Sequence, residues 1–102
     1  MADTIAAGIT HLVLLEVRPN VDSVELDRVL SAVLRLGELP GVRRLRVGPD
    51  ISREGLQDNF THAIVVDFDG EASRDSYLSS PEHLVVADML GPCIDRIVVV
   101  DL

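Results

Sequence analysis

Two runs of aliphatic residues, Ile64-Val65-Val66 and Ile97-Val98-Val99-Val100, constrain this chain more than any other feature. Both are short and β-branched, which favours strand over helix, and neither alternates apolar with polar. A strand sends successive side chains to opposite faces, so such runs need apolar cover on both sides of a sheet. The helical stretches of one chain can cover one face only. The simplest cover for the other is the same face of a second copy, so a homodimer packed sheet against sheet is expected.

The remaining chain supplies the elements for such a sheet. Residues 1 to 8 are small and polar and read as a flexible terminus. Ile9 to Val17 is a strand, broken by Arg18-Pro19-Asn20. Asp22 with Glu25 three residues on has a capping-box pattern, and Leu26, Val29, Leu30 and Val33 follow at helical spacing up to a stop at Gly37. Val42 to Val47 alternates apolar residues with Arg44 and Arg46, as a half-exposed edge strand does. Gly48 to Asn59 is a polar loop, and Thr61 to Phe68 is a third strand. Glu71 to Ser79 makes a short helix. Ser80-Pro81-Glu82 then opens another, with Ser as N-cap and Pro at the first position, and Gly91-Pro92 ends it. Cys93 to Leu102 is the last strand. The order β, α, β, β, α (broken at Pro81), β predicts a ferredoxin-like α+β fold over residues 9–102, one domain with helices on one face of an antiparallel sheet.

Composition narrows the partners. The 102 residues are 47% hydrophobic but only 3% aromatic, so the core is built from Val, Leu, Ile and Ala. A net charge of −8 works against nucleic acid and against anionic membrane surfaces, both of which reward positive charge. A lone cysteine, Cys93, excludes an intrachain disulfide, reads as a small buried hydrophobe and suggests a reducing compartment. The first residues lack a signal peptide's basic flank and apolar run, and no apolar run approaches the ~20 residues of a membrane helix. A cytoplasmic location is the expectation.

The candidate site is Tyr77-Leu78-Ser79-Ser80-Pro81-Glu82-His83, which holds the single tyrosine and one of three histidines. On a helix starting at Pro81, His83 shares a face with Val86, Ala87 and Leu90 and points inward. Burial and the positive end of the helix dipole both favour the neutral imidazole that a general base needs. Tyr77 can donate a hydrogen bond to an oxygen gaining negative charge, as in an enolate. Together they suit proton abstraction beside a carbonyl. The plainer alternative is packing, with both polar groups satisfied by each other or by backbone. In the antiparallel topology His11 and His62 lie towards opposite ends of the sheet. His62 is expected beside the pair, and His11 is expected to be structural and the weaker pocket candidate. The close ligand spacings of a metal motif are absent, so no metal is expected.

The order of elements, His11 opening the first strand, Thr61-His62-Ala63 opening the third, Tyr77 to His83, Gly48 before the loop and Asp101 closing the last strand resemble the stress-responsive dimeric α/β-barrel (Dabb) family. The resemblance spans nearly the whole chain. It implies two ferredoxin-like units that face each other's sheets and close into a barrel. It also implies a catalytic role for Tyr77 and His83, because a polyketide-cyclising plant member carries its catalytic Tyr and His in this motif and uses no metal or organic cofactor. Two functions stand open at this point. One is a pocket lined by Tyr77, His83, His62, His11, Val86 and Leu90 that binds a small hydrophobic carbonyl or polyketide-like compound, with cofactor-independent cyclase, lyase or isomerase-like acid–base chemistry. The other is a non-catalytic, stress-associated structural oligomer.

Overall fold

The structure, a computed structural model, describes residues 8–102, so the flexible terminus expected over residues 1 to 8 lies, apart from Gly8, outside the described residues. Four strands, β1 (Ile9–Val17), β2 (Val42–Pro49), β3 (His62–Phe68) and β4 (Ile94–Asp101), form one sheet in the order β2-β3-β1-β4. Every neighbouring pair is antiparallel. The helices are α1 (Ser23–Arg35), α2 (Glu71–Ser79) and α3 (Pro81–Leu90). This is the ferredoxin-like α+β architecture. No helix among the described residues is long and apolar enough to cross a membrane.

The strand period of two divides the sheet into unlike faces. On β1 the buried residues are His11, Val13 and Leu15; on β3 they are Ile64, Val66 and Phe68. These pack against Val29, Ala32 and Val33 of α1, Tyr77 of α2, and Val86 and Leu90 of α3. The intervening residues Leu12, Leu14 and Val65 face away from the helices and are only half-buried. Val98 and Val100 extend this apolar strip, because they pair with Leu14 and Leu12.

Three local expectations change. Asp22 is the N-cap of α1, yet its side chain caps nothing. Glu25 instead takes two hydrogen bonds from Arg28, at 2.7 and 2.8 Å, so its carboxylate serves the next turn and not the helix start. The first helix ends at Arg35, and Gly37 lies inside a following 3-10 turn, Leu36–Glu38. Finally, the helices bury the helix-facing residues of β3 but not those of β4. As an edge strand, β4 leaves Ile97 (54%), Val98 (38%), Val99 (51%) and Val100 (47%) exposed on both of its sides. Ile97 and Val99 pair with Leu15 and Val13, so they belong to the helix-facing side and stand uncovered there.

Gly41, before β2, has φ +85°, and a Cβ there would lie 2.7 Å from the side chain of Ser73. Glycine lets α2 settle directly on this turn. The helix touches β1, β2 and β3 alike, so it crosses the strands and does not run back along β3.

Candidate functional site

Ser80 builds the local geometry. Its hydroxyl donates to the Tyr77 carbonyl at 2.8 Å and accepts from the His83 backbone N–H at 3.2 Å. One short side chain therefore closes α2, caps α3 and holds the two candidate residues across the break. Proline at the start of α3 needs no hydrogen-bond partner there. The rings of Tyr77 and His83 meet at 4.8 Å between centroids. Phe68 meets Tyr77 edge-on at 5.0 Å, and His11 stands 6.3 Å from both Phe68 and Tyr77.

His11 is thus the neighbour of the pair. The expectation that His62 would hold this place gives way to His11 because of the way α2 lies. Because α2 crosses the sheet, Tyr77 stays at the Phe68 end of β3, opposite the end where His62 begins it. In the register His11 is level with Val66, and His62 with Leu15, four residues further along. At ~3.4 Å per residue that is about 14 Å. His62 bonds Thr61 Oγ1 at 2.8 Å and takes no part in the cavity wall.

Between the helices and the exposed helix-facing side of β4 lies a cavity of about 390 Å³. Val86, Ala87 and Leu90 of α3 line it on the face shared with His83, and Ile97 and Val99 form its border on β4. Its polar lining consists of His11, Tyr77, His83 and Asp101. Its apolar character follows from the aliphatic composition, and its opening from the missing helix over β4.

The electrostatics differ from group to group. Burial pushes the Tyr77 hydroxyl up to about 12, so it stays a hydrogen-bond donor across the physiological range. His83 is pushed below its ordinary value by burial first and by the nearby His11 second, with the Leu78 carbonyl working against both. Its imidazole is neutral at pH 7. The Nδ1 atom of His83 is sealed from solvent and has no hydrogen-bond partner among the described residues. His11 Nδ1 lies 2.6 Å from Asp101 Oδ1, and Arg74 Nη1 donates to the other oxygen, Oδ2, at 3.0 Å. Burial raises the Asp101 carboxyl, but the bonds from His11 and Arg74 outweigh it and hold the group below the usual carboxylate range.

Sequence reasoning did not foresee the Asp101 and Arg74 contacts. Asp101 is 90 residues from His11 and 27 from Arg74, so no motif spacing links them. Only the register, which pairs His11 with Asp101 directly, brings the carboxylate to the imidazole.

Comparison with known proteins fits this architecture. Residues 9–102 match the model of the stress responsive A/B barrel domain (Dabb). The chain belongs to that family. Among curated relatives, olivetolic acid cyclase of Cannabis sativa is 17% identical over 95 residues, covering 92% of this chain and 94% of the cyclase. A hydroxynitrile lyase from Passiflora edulis superposes with a TM-score of 0.85 at 23% identity, covering 93% of this chain and 91% of that one. A dimeric ferredoxin-like protein of unknown function from Jannaschia sp. CCS1 is 30% identical with a TM-score of 0.78, covering 93% and 97%.

Proposed function

We propose that this A/B barrel protein is a homodimer whose cavity binds a small hydrophobic carbonyl compound and performs acid–base chemistry on it without a cofactor. The observation that carries the reading is the cavity wall, where hydrocarbon surrounds one cluster of proton-handling groups drawn from β1, α2, α3 and β4. In this reading the neutral imidazole of His83, which lines the cavity, takes a proton from the carbon beside the carbonyl. Tyr77 donates a hydrogen bond to the oxygen as it becomes an enolate, which stabilises charge only as it develops. The two relatives named for cyclase and lyase activities support a family site suited to small organic molecules.

The dimer reading rests on the open sheet face. Leu12, Leu14, Val65, Val98 and Val100 form an apolar strip that water would otherwise meet, and the similar Jannaschia protein is described as dimeric. A non-catalytic stress-associated assembly is the competing reading, and the same apolar face favours it. Ligand-observed NMR with a panel of neutral ketones separates the two. The expected result is binding by the parent protein and roughly tenfold weaker binding by both Tyr77→Phe and His83→Ala, about the loss of one hydrogen bond each. A parent that binds none of the panel would overturn the carbonyl site. A light-scattering mass of 11.1 kDa, that of one chain, at micromolar concentration would overturn the dimer.

A further inference from the structure

We propose that Arg74 is a positioning residue, tying α2 to β4 through Asp101 and thereby setting both the placement of Tyr77 and the tautomer of His11. The functional consequence rests on the carbonyl-site reading above. Helix α2 has few anchors of its own. It has nine residues, and its one buried residue is Tyr77. A helix so short is marginal alone, and a single apolar anchor leaves it free to rotate or swing. On one flank Ser73 rests on Gly41. On the other, Arg74 spans to the edge strand and donates to Asp101 Oδ2 at 3.0 Å.

The spacing makes that tie bear on the site. Arg74 and Tyr77 are three residues apart and so lie on neighbouring positions of one helix side. A movement that lengthens the Arg74–Asp101 contact also carries Tyr77 away from His11. The guanidinium is held from its own helix as well, with Asp75 Oδ1 at 3.1 Å from Nε and Glu71 Oε1 at 3.6 Å from Nη2. Three carboxylates on a planar, five-donor fork leave it little freedom, which a lysine ammonium could not reproduce in full.

The second consequence concerns protons. With Oδ2 occupied by Arg74, Asp101 presents Oδ1 to His11 at 2.6 Å. In a neutral ring, a carboxylate fixed in this way selects the tautomer in which Nδ1–H donates and Nε2 keeps its lone pair. His11 lines the cavity, so it joins Tyr77 and His83 as a third proton-handling ring, oriented through Asp101 by a residue that is not part of the cavity wall.

The test uses Arg74→Met and Arg74→Lys in the full chain, with acetophenone as the neutral carbonyl probe and long-range ¹H–¹⁵N spectra of the His11 ring. In Arg74→Met the His11 nitrogens should move from one tautomer to an averaged pair, and acetophenone binding should weaken about fivefold, the scale of a partly exposed ion pair. Arg74→Lys should recover part of both. A change in melting temperature alone, with His11 nitrogen shifts and affinity at parental values in Arg74→Met, would overturn the proposal. If Arg74→Met does not fold, Arg74→Lys decides, and a wholly parental result there counts against it. A parent protein that binds no acetophenone counts against the carbonyl site, while the His11 spectra still decide the role of Arg74.

Discussion

The helix-facing side of the sheet carries a histidine at each end, and the two have different fates. His11 is 5% exposed, ringed by Phe68 and Tyr77 and bonded to Asp101. His62 sits at the loop end of the same side, partly exposed, with Thr61 as its hydrogen-bond partner. Both lie on β-strands at a sheet terminus, so strand context alone does not separate them. The difference is what covers each. Over His11 the chain brings a helix break with two more rings, while the side chain that bonds His62 is that of its chain neighbour Thr61. A histidine joins a cluster of rings only when other elements deliver those rings to it.

That contrast can be broken most strongly at Phe68, fully buried beneath His11 and Tyr77. Phe68→Ala should cost ~3–5 kcal/mol of folding stability in urea unfolding. His62→Ala, at the uncovered end, should stay within ~1 kcal/mol and leave ketone binding unchanged. Equal losses at the two positions would abolish the distinction.

The pH dependence sharpens the same comparison. Burial lowers the pKa of both His62 and His83 in the folded state. Below the ordinary histidine value of 6.5 the unfolded chain therefore binds more protons than the folded one, and stability falls as pH drops from 7 through that window. His83→Gln and His62→Gln should each flatten part of this decline in denaturant titrations at pH 5 to 7. Only His83→Gln should also weaken ketone binding. A steeper acid decline in either variant would contradict the assignment.

The smallest effect is also the simplest to read. With one tyrosine and no tryptophan, the near-ultraviolet absorbance of the phenolate reports Tyr77 alone. Its midpoint in the folded protein should lie near 12, against 10.0 for an ordinary tyrosine. The folded state then keeps a proton that the unfolded state loses, so stability declines as pH rises above 10 towards 12. A midpoint at 10 would mean that Tyr77 is solvated and the cavity is open to bulk water at that point.

Much of the fold was legible because its signals are local. The β-branched runs, the helical spacing from Leu26 to Val33 and the Ser80-Pro81 start each depend on neighbours within a few residues. The inward aim of His83 with Val86, Ala87 and Leu90 was legible for the same reason. The identity of its neighbouring histidine was not, because it depends on the angle at which α2 crosses the strands. The solvent exposure of Ile97 and Val99 was equally hidden, since the same aliphatic letters describe a buried strand and an uncovered edge.

By itself, then, the chain's residue pattern determined which segments become strands and helices, and that Tyr77 and His83 flank a helix break. Periodicity and capping act over one or two turns, within the reach of sequence. Tertiary structure alone decided that His11 and not His62 joins them, that Asp101 and Arg74 stand behind His11, and that β4 leaves a cavity open beside them. Those outcomes depend on strand register and helix crossing, which arise from the packing of the whole core and from no single stretch of it.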